Sequence, residues 1–273
     1  MDNINDRIKQ YLDEEGIIPR TTSGIIGILG DRYPIYQKLE REKEKNENRE
    51  TDPRFYQFLA ENLPGLNIPT YDLLRSPLRK IIEFNLDYAA KKISPTDTVL
   101  SVGSNTGLYE TFLAQLAKKM IYLDLSKEQM TIARERANRR GLGNTVFRVA
   151  DMDSTNLMSN EVDVLLCIDA LKEMSKKDVH PLDSPYLDKK IKEFRRVLKK
   201  NSNEKNGRLI ISAICEVSSF NSNVNDYLRR EAEKLRQKLE KNGFAGEGIT
   251  EKYWSNINLR NFISLLYDLQ VRD

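Results

Sequence analysis

The sequence predicts an α/β fold: a doubly wound, mostly parallel sheet with flanking helices and a helical N-terminal extension. Three observations predict it. Compact apolar runs recur at 97–103, 162–169 and 208–214. From about residue 98 onward, segments of helical period separate short strand-like runs, and strand–helix–strand units at this spacing close by right-handed crossovers into a parallel sheet. The first strand-to-helix turn, VLSVGSNTGLYE over 99–110, concentrates small residues where an open sheet of this kind receives its ligand.

The elements follow in order. Ile4, Ile8 and Tyr11 give a short amphipathic helix, and a glycine-punctuated apolar stretch covers 24–30. Residues 36–50 are dominated by Lys, Glu and Asn and read as a solvated helix or a linker. Pro53 opens a helix carrying Phe55, Tyr56, Phe58 and Leu59, which Pro64-Gly65 ends. A helix spans 71–92, with Leu73, Leu74, Leu78, Ile81, Ile82 and Leu86 on its apolar face. Strands are expected at 98–103, 120–124, 145–150, 162–168 and 207–214. Helices are expected at 107–118, 126–140, 184–200 and 225–243. Ser126 is the cap of the second of these, and Gly141 ends it. Leu259, Phe262, Ile263, Leu266 and Leu269 suggest one more helix. The organisation expected is an extension over 1–70 and a main domain over 71–273, with 218–252 as an insertion.

Composition bounds the partners. The 44 basic and 41 acidic residues nearly cancel, so there is no strong overall field for nucleic acid or anionic lipid. Basic clusters at 134–140, 189–200 and 229–241 are interleaved with acids or apolar positions and read as solvated helix faces. No apolar run approaches the ~18 residues of a membrane span. Cys167 and Cys215 lie in strand-like runs without metal-ligand spacing, which predicts free thiols, no metal and a reducing, cytoplasmic setting. The opening segment is polar and mixed in charge, unlike a signal peptide.

The chemistry concentrates in one constellation. Gly103, Ser104, Asn105 and Gly107 form the turn after the first strand. Asn105 stands where a third glycine is expected, and Asn is the side chain that best tolerates positive φ. Asp124 ends the second strand, 124 − 103 = 21 residues after Gly103. That is close to the ~20-residue offset of an acid that accepts from ribose hydroxyls. Leu125 follows it. Asp151 ends the third strand, placed to accept from an adenine amino group, and Met152 beside it can pack on the ring. The constellation predicts a bound nucleotide. NAD is the competing ligand, but the GxGxxG spacing is absent.

With these residues in place, the chain resembles the class I S-adenosylmethionine (SAM)-dependent methyltransferases, particularly the small-molecule group that includes quinone-biosynthesis enzymes. The resemblance rests on Ser101–Gly107, Leu123–Ser126, Ala150–Asp153, Val162–Cys167 and the Gly207-led fifth strand. It implies a Rossmann-like fold, SAM as cofactor and a small-molecule methyl acceptor. It also implies roles. The 103–107 loop holds the methionine and ribose portion, Asp124 the ribose, and Asp151 with Met152 the adenine. Cys167 and Ile168 offer backbone near the methionine end. The family usually carries an acid, which helps position the methionine amino group, where this chain has Ser101. At the C-terminus, 253–266 resembles the helix before the family's last two antiparallel strands, which would leave those strands largely missing. The other reading takes 225–243 as that helix and draws the strands from 244–273.

Other residues carry weaker signals. His180 is the lone histidine, read as a general base or an exposed loop residue. Asp169, Lys172 and Glu173 follow the fourth strand, as substrate-facing groups or as a solvated helix start. Tyr33, Tyr36, Phe55, Tyr56, Phe58 and Tyr71 form either an apolar lid or a docking surface for a helix. A non-catalytic SAM- or nucleotide-binding regulator is the alternative function. An RNA or protein acceptor is a third, but Ile168-Asp-Ala-Leu stands where base amino-group methylation would want an Asn-Pro-Pro type motif. Nothing in the sequence fixes an oligomeric state.

Overall fold

A computed structural model describes residues 3–45, 53–63, 65–170, 185–200, 206–217, 222–251 and 261–272. His180, Lys172 and Glu173 lie outside them. The sheet has seven strands: β1 (Thr98–Val102), β2 (Lys119–Asp124), β3 (Thr145–Val149), β4 (Val164–Ile168), β5 (Arg208–Val217), β6 (Phe244–Glu251) and β7 (Asn261–Val271). Their order is β3-β2-β1-β4-β5-β7-β6. The first five run parallel, and β7 inserts antiparallel between β5 and β6. The chain winds outward from β1 to β3, then restarts on the other side at β4. The C-terminal ends of β1 and β4 therefore flank the switch point where such sheets bind ligands.

Strand periodicity sorts the core into two faces. Leu100, Val102, Leu165 and Cys167 point one way, with α9 (Pro185–Val197) and α10 (Ser222–Lys241). Val99, Val164, Leu166 and Ile168 point the other way. The second face meets α1 (Ile4–Glu14), α6 (Arg79–Ala90), α7 (Leu108–Leu113) and α8 (Lys127–Arg139). All of β4 is buried, as expected of a central parallel strand. Each of its apolar side chains contributes about 1.5–3 kcal/mol by burial.

Helix ends follow local chemistry. The Ser126 side chain accepts from Gln129 N at 3.2 Å, the predicted cap. The expected helix over 71–92 is broken into α5 (Thr70–Arg75), a 3-10 turn (Ser76–Leu78) and α6. Pro77 is the cause: it has no N–H and its ring clashes with the carbonyl four residues back, Leu73. The Ser76 hydroxyl donates to that carbonyl instead, at 2.7 Å. The helix expected at 107–118 is shorter, Leu108–Leu113.

The C-terminus corrects the favoured reading. The helix expected around 259–269 is strand β7, and the closing antiparallel pair is present. Alternation explains the error: Leu266 and Tyr267 face opposite cores, so an apolar run buried on both faces resembled a helix. The stretch 222–251 provides α10 and β6, with β6 as an edge of the sheet.

The extension contains α1, α2 (Thr22–Leu29), α3 (Arg32–Lys45) and α4 (Pro53–Ala60). Phe55, Phe58 and Leu59 pack with Tyr36, Tyr56, Tyr71 and Leu74, so the aromatic group docks α3 and α4 onto α5. Among the described residues, no helix is long and apolar enough to cross a membrane.

Candidate cofactor site

The turn after β1 is built by backbone curvature. Gly103, Asn105 and Gly107 all have positive φ, at 70°, 48° and 71°. A Cβ on Gly103 would lie 2.7 Å from Ala170 Cβ, and one on Gly107 would lie 2.8 Å from Ala133 Cβ and 2.9 Å from Tyr122 Cε1. Glycine at these two positions lets β1 approach the end of β4 and lets α7 seat against α8 and β2. Asn105 occupies the left-handed region that its residue type tolerates.

The loop is tied to β2. Gly103 N and Ser104 N donate to Leu123 O at 2.8 and 3.1 Å. The Ser104 hydroxyl donates to Ser101 O at 2.9 Å and accepts from Leu123 N at 3.0 Å. Asp124 accepts from Asn105 N through Oδ2 and from Ser126 N through Oδ1, both at 2.9 Å. These bonds aim the carboxylate along the loop. Leu125 is half-buried beside it.

Asp151 and Met152 arrive from β3. Met152 Cε lies 4.0 Å from the Cβ position of Gly103, so the third-strand segment reaches the loop. Asp151 Oδ1 accepts from Asp153 N at 3.0 Å and pairs with the buried Lys190 at 3.4 Å. Cys167 and Ile168 are buried core side chains, leaving only backbone at the end of β4. Burial pushes the Cys167 thiol pKa far up, so it stays protonated.

Of two groups near the loop, the sequence reading missed one and singled out only Asp169 and Tyr71 of the other. The first is Glu110, on the buried face of α7. Its Oε1 accepts from the Ser101 hydroxyl at 2.5 Å, and its Oε2 is buried without a hydrogen-bond partner. Burial pushes its pKa up to about 7, against the opposing pull of Ser101. The signal was a glutamate in a largely apolar short helix, Leu108–Leu113. The second lies past β4. Asp169, at φ 60°, accepts from Arg75 at 2.6 Å, from Tyr109 at 3.0 Å and from Ser212 at 3.0 Å. The Arg75 guanidinium lies over the Tyr71 and Tyr109 rings, 5.5 and 5.3 Å from their centroids. Burial and then the Asp169 charge raise the Tyr109 phenol well above its usual pKa, so it stays a donor. Asp169 is thus an interior hub and not a solvated helix start.

The matching family model, described as a methyltransferase domain, covers residues 100–203, from mid-β1 through α9. By that match the chain carries a methyltransferase domain. No curated protein matches by sequence. Among solved structures, the [4+2]-cyclase SpnF is similar over 93% of this chain and 98% of its own, at 16% identity and TM-score 0.53. The Bacillus subtilis YcgJ protein is similar over 70% of this chain and 99% of its own, at 15% identity and TM-score 0.50. A phosphoethanolamine N-methyltransferase from Haemonchus contortus, crystallised with S-adenosylhomocysteine, is similar over 70% of this chain and 52% of its own, at 15% identity and TM-score 0.50. At such identities the likeness is one of fold, which the methyltransferase domain shares with a protein named a cyclase.

The site chemistry fits SAM, the cofactor that the sequence resemblance implies. The Glu110 oxygen without a partner is a buried acceptor beside the loop, and SAM carries an ammonium group. Asp124 presents an oriented carboxylate for a ribose diol.

Proposed function

We propose that this methyltransferase domain acts on a small-molecule acceptor. The observation that carries the reading is the wall at the C-terminal end of β4, beside the middle of β5. There Arg75 and Asp169 have side chains only 13% and 9% exposed, and Tyr71 and Tyr109 stack on the guanidinium. A dense, largely buried polar cluster at the ligand-binding edge of the sheet suits a compact ligand, since small-molecule sites are mostly enclosed. A polymer acceptor would call for an open groove.

When bound, SAM supplies an activated methyl group on a sulfonium. The chain supplies alignment and exclusion of water. In this reading Gly103, Ser104, Asn105 and Gly107 curve the backbone around the methionine and ribose portion. Asp124 accepts from the ribose hydroxyls, with Leu125 alongside. Asp151 accepts from the adenine amino group, and Met152 packs on the ring. Cys167 and Ile168 contribute backbone groups near the methionine end. Glu110, steadied by Ser101, receives the ammonium group and so supplies from α7 the carboxylate that position 101 lacks. Asp169 is held by donors from Arg75, Tyr109, Ser212 and Asn85 and acts as a wall residue rather than a base. A cytoplasmic setting fits the protonated, buried Cys167.

The test is transfer of label from methyl-labelled SAM in a cell extract separated by size. Label in the low-mass fraction supports the reading. Label in protein or RNA moves the acceptor to that class. No label in any fraction, despite cofactor binding, favours a regulatory SAM-binding role.

A further inference from the structure

The cofactor loop is held from behind by the N-terminal segment through one buried arginine. Arg136 of α8 is 1% exposed. Its Nη1 donates to Thr106 O at 2.5 Å, its Nε donates to Glu15 at 2.9 Å, and its Nη2 donates to Asp72. Asp72, fully buried on α5, also accepts from the Thr106 hydroxyl at 2.7 Å. Thr106 is therefore gripped at both its carbonyl and its side chain. Glu15, just past α1, is fixed in turn by Arg140 at 2.7 Å. A second tie runs from Tyr11, whose hydroxyl donates to Leu108 O at 2.6 Å, at the start of α7.

The geometry needs a guanidinium. A rigid planar fork can serve three acceptors in three directions at once, whereas an ammonium cannot match that pattern. Stability alone does not explain the cluster, because buried ion pairs are often replaceable by apolar packing without loss. A second arginine makes the contrast. Arg79 of α6 clamps the same N-terminal segment, donating to Asp13, to Ile17 O at 2.8 Å and to Lys9 O at 3.2 Å. None of these partners belongs to the cofactor loop.

We propose that Arg136 is a positioning residue that sets the curvature of the 103–107 loop and makes it depend on docking of residues 4–17. This rests on the assignment of that loop to the cofactor. Full-length Arg136→Lys and Arg79→Lys variants would be compared in three measurements: thermal midpoint, calorimetric affinity for S-adenosylhomocysteine, and amide hydrogen exchange of 103–107 without ligand. The expected result is at least tenfold weaker binding and at least tenfold faster loop exchange for Arg136→Lys. Arg79→Lys should stay within threefold of wild type on both, even where its midpoint falls as far. Should Arg136→Lys fail to fold, Thr106→Val, which deletes the bond to Asp72, should show the same loss, and Thr106→Ser should restore it. Affinity and exchange that track the midpoint equally in both arginine variants would overturn the proposal. If wild type itself binds no S-adenosylhomocysteine, the cofactor reading fails, and the exchange comparison alone decides the positioning role.

Discussion

The Ser101 hydroxyl donates to the Glu110 carboxylate at 2.5 Å, joining the end of β1 to the first turn of α7. Ser101 shares its strand face with Val99, which points toward the helices of the α6–α8 layer. A serine there is short enough to leave room for a longer acid from α7, and the pair leaves one carboxylate oxygen buried and without a partner.

That oxygen has a cost in the free protein and, in the proposed complex, a use. The raised pKa of about 7 means that the folded state favours the protonated form. The sign follows: stability from this group is full below the unfolded value near 4.5 and is lost as pH rises through about 7. The ligand-free protein should therefore lose stability between pH 5 and pH 8. Glu110→Gln should flatten that decline and raise the thermal midpoint at pH 8. The same substitution should weaken SAM at least tenfold while leaving methylthioadenosine, which lacks the amino group, within threefold. A steeper decline in Glu110→Gln, or equal losses for both ligands, would contradict the role given to Glu110.

Gly107→Ala should destabilise the fold by about 2–4 kcal/mol. The added Cβ meets Ala133 and Tyr122 inside 3 Å and must adopt a φ of 71°. Denaturant unfolding reads this directly. A change below about 0.5 kcal/mol would mean that α7 seats differently.

Asp169→Asn should cost about 3–5 kcal/mol, because it leaves Arg75 buried beside a neutral partner. Tyr109 should lose its charged acceptor as well. Thermal melts of Asp169→Asn and Tyr109→Phe, singly and together, should show coupling of at least about 0.5 kcal/mol. Additive losses would show that the two side chains do not share a network.

The parallel half of the sheet was legible because its signals are local. Apolar strands, the Ser126 cap and the glycine-rich turn each follow from a few neighbouring residues, and Asp124 followed from its offset to Gly103. The failures are long-range or cancel in pattern. β7 has apolar residues on both faces, so its period of two vanished, and only pairing with β5 and β6 defines it. Pro77 was a local signal that the apolar periodicity of 71–92 overrode. The contacts of Arg136 with Glu15, 121 residues away, and with Asp72, 64 away, have no sequence signature. Glu110 looked like a charged helix position until its burial was known.

The most direct test of the account is calorimetric titration of the full chain with SAM and with S-adenosylhomocysteine, alongside Asp124→Ala. The account predicts micromolar binding of both by the wild type and at least a tenfold loss in the variant, as expected for removing charged hydrogen bonds of about 1.5–3 kcal/mol each. Binding of either ligand with equal affinity by Asp124→Ala, or no binding by the wild type, would contradict it.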